Sequence, residues 1–226
     1  PSDKFLSRWL DTTKSTLLFA KGIILVEGIA EAFLVPVMAT KILGSYNEGM
    51  DDKAKLSPSL DKAGVSVINM NGIYFKHFAR LFCNLGNEDS DSLNISLKCA
   101  GITDRDPEKL VDEKTEKRTI PARPVKPNHD EGRNPALKLE TIINSSDYCR
   151  LYVGAYKTLE YDLAMEENNI QTMAKILADN WHNKGVVHTE LEELSKKNWL
   201  EESAENKGDA ANLILKRIED KNMGKG

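Results

Sequence analysis

Lys21-Gly22-Ile23-Ile24-Leu25-Val26-Glu27-Gly28-Ile29-Ala30-Glu31 decides how this chain folds. The run from Gly22 to Val26 is apolar without alternation, as expected of a strand buried on both faces of a parallel sheet. Glu27 ends the strand, Gly28 turns the chain, and Ile29 to Leu43 follows with a helical pattern that Pro36 should kink. Glu31 lies one turn into that helix and faces back toward Glu27.

The same alternation continues outward from this unit. Val65 to Ile68 reads as a second strand, Tyr74 to Leu85 as an amphipathic helix, and Ser96 to Thr103 as a third strand ending at Asp104. Strand, helix, strand, helix, strand at these spacings predicts an α/β fold with a parallel, doubly wound sheet. Cys149 to Ala155 is a fourth strand candidate, and Thr158 to Glu167 begins a helix. Ile170 to Asp220 is helical in pattern almost throughout. Before the sheet, Phe5, Leu6, Trp9, Leu10, Leu17 and Leu18 suggest a lead-in helix. Gly44 to Asp61 is polar and irregular, and Pro107 to Asn134 is rich in proline and charge, so both read as loop. The expected organisation is a lead-in helix at 1–20, an α/β domain at 21–168 with a loop insert at about 107–147, and a C-terminal helical subdomain at 169–226.

With 226 residues, 40% hydrophobic and 29% charged, the chain can bury a substantial core. A net charge of −4 gives no global attraction to nucleic acid, so any such contact needs a local basic patch. Cys83, Cys99 and Cys149 are odd in number and widely spaced, which fits reduced cytoplasmic thiols and neither a disulfide frame nor a zinc site. The apolar stretch Ile23 to Ala39 is interrupted by Glu27, Glu31 and Pro36. A charge at a bilayer centre costs roughly 2.5–3.5 kcal/mol, so a buried strand plus helix is expected and no membrane span. His77, His129, His182 and His188 show no ligand spacing and read as surface or cap residues. The chain begins at Pro1 without Met and reads as part of a longer protein.

In a parallel sheet the carboxyl ends of neighbouring strands converge on one crevice. Glu27 and Asp104 would sit at two such ends, with Glu31 and Asp106 close behind. Oxygen donors of this kind suit Mg²⁺ or Mn²⁺. Helix N-termini also favour acids through the helix dipole alone, so Glu27 and Glu31 by themselves have a purely structural explanation. The second acidic pair at another strand end is what points to a site.

These blocks resemble the Toprim domain of topoisomerases, bacterial-type primases and a group of nucleases. FAKGIILVEGIAEAFLVPVMA, GVSVINMNGIYFKHFARLF, GITDRDP and YKTLEYDLA, with KGDAA near the end, resemble more narrowly the C-terminal catalytic region of the OLD (overcoming lysogenisation defect) family nucleases. The resemblance implies a Toprim-like sheet flanked by helices and a metal-dependent DNA endonuclease or nickase. It assigns Glu27, Glu31, Asp104 and Asp106 to metal binding, with Thr158 and Glu160 serving a second ion. Lys207 matches the lysine that stabilises charge at the scissile phosphate, although Lys184-Gly185 offers a rival pair. Glu27 with one of the two aspartates would hold the ion that activates water, and Asp104, Glu31 and Glu160 the ion at the leaving oxygen.

Lys114, Lys117, Arg118, Arg123 and Lys126 cluster in the insert and could grip DNA phosphates. Asp112, Glu113 and Glu116 are interleaved there, so a solvated mixed-charge loop is the alternative. No GxxxxGK[ST] phosphate loop is present, so no ATP site is expected. In this family an ATPase half precedes the Toprim region, and the resemblance therefore implies that partner, a homodimer formed through it, and a role in antiphage defence. Two competing readings stay open. One is a catalytically silent Toprim-like module that binds DNA or a partner. The other is a primase or RNA-processing nuclease, which should bring a zinc-binding or tyrosine module.

Overall fold

The computed structural model describes residues 19–70, 75–83, 96–105, 110–111, 118–119, 124–126 and 134–220. The lead-in helix, Tyr74, Asp106, His129, Lys114, Lys117 and Arg123 lie outside the described residues, as do the side chains of His77 and Arg118. The chain forms two compact units. The first runs to Thr103 and takes in Pro135–Val153, and the second comprises Asp104–Asn134 and the chain from Gly154 onward.

In the first unit, strands β1 (Gly22–Val26), β2 (Val65–Asn69), β3 (Lys98–Thr103) and β6 (Cys149–Val153) form one sheet in the order β2-β1-β3-β6. Every pairing is parallel. Gly22 is in register with Val65 on one side and Lys98 on the other, and Val26 with Asn69 and Ile102. β1 is therefore internal, which is why its side chains alternate nowhere between apolar and polar. Helices α1 (Ile29–Asn47), α2 (Leu60–Ala63), α3 (Phe75–Phe82) and α4 (Pro135–Asn144) belong to the same unit. Ile23, Leu25, Ile68, Phe78, Phe82 and Leu151 form its core. Gly101 on β3 is a packing requirement, because a Cβ there would lie 2.3 Å from the Phe75 ring and 2.8 Å from Leu151.

Two features of this unit depart from the sequence reading. The helix after β1 was expected to be buried, yet Glu31 is the buried residue of α1, while Phe33 is 72% and Ile42 63% exposed. By length and composition alone α1 is also apolar enough to cross a bilayer. The helix extends to Asn47, four residues beyond the expected end, and runs through Pro36. The second departure is α4, which falls inside the stretch read as loop. Pro135 opens it at the position where a missing N–H costs nothing, and Ile143 is buried against the core.

In the second unit, β4 (Leu110–Val111) and β5 (Arg118–Thr119) pair antiparallel, so the insert carries a short strand pair where only loop was expected. Helices α5 (Leu159–Met165), α6 (Asn169–Asp179), α7 (Val186–Lys196) and α8 (Ala204–Asp220) follow. Tyr161, Ile170, Leu191, Trp199, Ala211 and Ile214 form their common core. Arg217 of α8 bridges Glu190 of α7 at 3.0 Å.

Candidate active site

In the first unit the candidate residues stand at the end of β1. Glu27 follows Val26, the last residue of that strand. Its Oε1 accepts a hydrogen bond from the Thr103 hydroxyl at the end of β3, and the register explains the contact, since Val26 is paired with Ile102. A hydroxyl donated to one oxygen fixes the rotation of the carboxylate, so Thr103 is a positioning residue. Gly28 is extended (φ −129°, ψ 177°) and precedes α1 without a side-chain cap. The Glu31 carboxylate folds back over it, with Oε2 2.8 Å from where a Cβ on Gly28 would stand. Glu31 is 8% exposed, a partly desolvated acid at the positive end of a helix.

The second unit carries Asp104, Thr158 and Glu160. Asp104 Oδ1 accepts the N–H of Leu159, the first residue of α5, at 3.0 Å. Thr158 caps that helix, its hydroxyl accepting the Tyr161 N–H at 3.4 Å. Glu160 lies in the first turn. Two side chains outside the sequence-derived set hold this segment. Asp162 accepts backbone N–H groups from Ala155 at 2.5 Å, Tyr156 at 3.1 Å and Lys157 at 2.9 Å. Arg105, 7% exposed, donates from Nη1 to the Ala155 carbonyl at 3.1 Å, and its backbone N–H reaches the Lys157 carbonyl at 3.0 Å. The carbonyl of Arg105 accepts from Asn134 at 2.8 Å. The loop 155–157 is thus tied on both sides, directly before Thr158 and the helix that carries Glu160.

Lys207 stands in the first turns of α8. Its ammonium donates to the Glu167 carbonyl at 3.0 Å, and Glu167 has the left-handed backbone (φ 40°) rare for a residue with a Cβ. The next residue, Gly208, accepts a hydrogen bond from the buried Tyr161 hydroxyl at 3.3 Å, which also reaches the Pro124 carbonyl at 3.2 Å. That contact ties the Lys207 segment to the helix carrying Glu160. The rival Lys184 lies 2.9 Å from His188 Nε2. His188 is buried, contrary to its reading as a surface or cap residue, because it faces inward from the first turn of α7. Lys126 is exposed.

The donors are all oxygens, the chemistry that Mg²⁺ and Mn²⁺ prefer. Among the described residues no three His, Cys, Asp or Glu side chains form a group placed to hold a metal ion. Glu27 and Glu31 belong to one unit, and Asp104, Thr158, Glu160 and Lys207 to the other.

A four-stranded parallel sheet with a carboxylate closing an internal strand, a glycine turn and a second acid one helical turn later defines the Toprim fold. More narrowly, residues 18–106 match the family described as the overcoming lysogenization defect protein-like TOPRIM domain, so the chain carries an OLD-like Toprim domain. Among solved structures it resembles the C-terminal region of the Burkholderia pseudomallei OLD protein, at 18% identity and TM-score 0.49, over 91% of this chain and 84% of that one. It also resembles the C-terminal region of the Xanthomonas campestris pv. campestris OLD protein, at 20% identity and TM-score 0.48, over 91% and 82%. No curated protein sequence matches it.

Proposed function

We propose that this chain is the nuclease part of an OLD-family protein, hydrolysing DNA phosphodiester bonds as an endonuclease or nickase with two Mg²⁺ or Mn²⁺ ions. The observation that carries the reading is Glu27, oriented by Thr103 at the end of β1 inside a segment of the OLD-like Toprim type. Glu27, Glu31, Asp104, Asp106, Thr158 and Glu160 would hold the ions. Bound there, divalent metal supplies Lewis-acid activation of water and neutralises charge on the leaving oxygen. The protein's own contribution is orientation. Thr103 sets the rotation of Glu27, Leu159 N–H sets that of Asp104, and the lack of a Cβ on Gly28 leaves room for Glu31. Lys207 would leave its contact with Glu167 to meet the extra negative charge of the transition state. Lys114, Lys117, Arg118, Arg123 and Lys126 would hold the DNA backbone. An ATPase half in the full-length protein, dimerisation through it, antiphage defence and a cytoplasmic location belong to the same reading.

The test is incubation with supercoiled plasmid and Mg²⁺ or Mn²⁺, with EDTA controls. Native chain should nick or linearise the plasmid, and Glu27→Ala and Asp104→Ala should not. Lys207→Ala should bind DNA and metal but cleave poorly. An active Lys207→Ala beside an inactive Lys184→Ala would move the charge-stabilising role to Lys184. A plasmid left intact by folded native chain with either metal would instead identify a silent DNA- or partner-binding module.

A further inference from the structure

The parallel sheet of the first unit buries one face and leaves part of the other open. Ile23, Leu25, Cys99, Cys149 and Leu151 point to the buried face, where Phe75 and Phe78 of α3 and Ile143 of α4 join them in one core. The alternate side chains point the other way. Among these Ile24 and Ala100 are half-buried, and Tyr152 is 59% exposed. The step from β1 to β2 runs opposite to those from β2 to β3 and from β3 to β6. Right-handed crossovers in opposite directions put their helices on opposite faces, so α1 lies on the second face. It packs on β1 and β2, and among the described residues no helix covers β3 and β6 on that side.

The open strip is a groove of about 410 Å³, lined by the apolar side chains of Ile24, Leu60, Ala100 and Tyr152 and by Lys98 and Arg150. A purely parallel sheet occurs almost only with both faces covered, so the strip calls for a further layer. Gly22, the first residue of β1, lines the same groove, and the chain just before it is held by the Lys21 N–H on the Gly64 carbonyl at 2.8 Å. The sequence ahead of Phe19, outside the described residues, has the pattern of such a layer. On a helix Phe5, Leu6, Trp9, Leu10 and Leu17 share one side, with Lys4, Arg8 and Asp11 opposite. A helix over 3–18 spans about 24 Å, enough to cross a five-residue strand of about 17 Å. Phe19, Ala20 and Lys21 then make a connection of ordinary length between a helix and its following strand.

We propose that residues 3–18 dock in this groove as an amphipathic helix, antiparallel to β1, and form the second layer over β3 and β6. Ile24, Ala100 and Arg150 make one row across the sheet. The smallest side chain stands in the middle of that row, and the Trp9 ring seats over it, flanked by the apolar stem of Arg150. The exposed side of α1, with Phe33 and Ile42, is not the seat. A helix there would stand two layers, about 20 Å, from β1, farther than the about 10 Å that Phe19 to Lys21 span. Docked antiparallel to β1, the segment brings its first residues to the carboxyl edge of the sheet, the edge at which Glu27 stands.

The test is hydrogen–deuterium exchange of the full chain, read by mass spectrometry, together with photocross-linking from position 9. Peptides from residues 3–18 should exchange at least tenfold more slowly than an unstructured chain. Ala100→Glu sets a carboxylate beside Lys98 and Arg150, where an empty groove tolerates it and an apolar helix does not. That variant should return 3–18 to fast exchange and leave α6 to α8 protected. Benzoylphenylalanine in place of Trp9 should link, on irradiation, to β3 or β6 of the same chain. Should Ala100→Glu fail to fold by circular dichroism, the cross-link map decides alone. Fast exchange of 3–18 in the native chain, protection that survives Ala100→Glu, or cross-links to α1, to a second copy or to nothing would each overturn the proposal.

Discussion

Asp162→Ala removes the carboxylate that gathers the loop Ala155–Lys157. Its two oxygens accept N–H groups from three consecutive residues, at 2.5 Å from Ala155, 3.1 Å from Tyr156 and 2.9 Å from Lys157. A hydrogen bond to a charged acceptor contributes about 1.5–3 kcal/mol. Three such bonds to one carboxylate do not add independently. Ala155 is exposed, so water recovers part of what is lost. The variant should therefore be destabilised by about 2–4 kcal/mol. In a chain of this length each kcal/mol moves a melting temperature by about 2–4 °C, so the transition of the second unit should fall by about 4–16 °C. Thermal melting of the full chain by circular dichroism or calorimetry reads this directly. The same loop leads directly into Thr158 and Glu160, which the proposed function assigns to a metal ion, so plasmid cleavage well below the new melting temperature should drop at least tenfold. A melting shift below about 1 °C would instead show that solvent replaces these bonds without cost.

The other predictions test local geometry and exposure. Gly28→Ala keeps a backbone that alanine adopts freely, since φ is −129°, but its Cβ would stand 2.8 Å from Glu31 Oε2. The variant should melt like the native chain, yet bind Mn²⁺ roughly 5–30-fold more weakly, the effect of about 1–2 kcal/mol lost when a ligand oxygen is displaced. Unchanged Mn²⁺ affinity would mean that Glu31 is no ligand. Phe33 is 72% exposed and Phe78 is 0% exposed. In chemical denaturation Phe33→Ser should change stability by no more than about 0.5 kcal/mol, whereas Phe78→Ala should cost about 3–5 kcal/mol. Equal losses would mean that α1 is covered in solution.

Strands that are buried on both faces announced themselves. The unbroken apolar run at Gly22–Val26 could only be an internal parallel strand, and Val65 and Lys98 took their places beside it. Boundaries set by capping were less visible, as at α1, which continues past Leu43 because nothing before Asn47 stops it. The helix α4 was lost in the composition of its surroundings, though Pro135 followed by Leu137, Leu139, Ile142 and Ile143 carries a helix start and an apolar face. Exposure of α1 could not be foreseen, because a helix apolar all round is ordinarily buried.

Among the candidate residues, the carboxylates near strand ends stood out by type. Their supports did not. Thr103 matters only because strand register sets it opposite Glu27, and Asp162 only because a loop folds its N–H groups toward one side chain.

The proposed function requires the acids of this chain to bind divalent metal. Equilibrium Mn²⁺ binding to the full chain, followed by the electron paramagnetic resonance signal of the free ion, tests it without needing DNA. The account predicts saturation at two ions per chain, with Glu27→Gln and Asp104→Asn each weakening binding at least tenfold while melting like the native protein. No saturable binding by the folded native chain, or affinity unchanged in both variants, would contradict it.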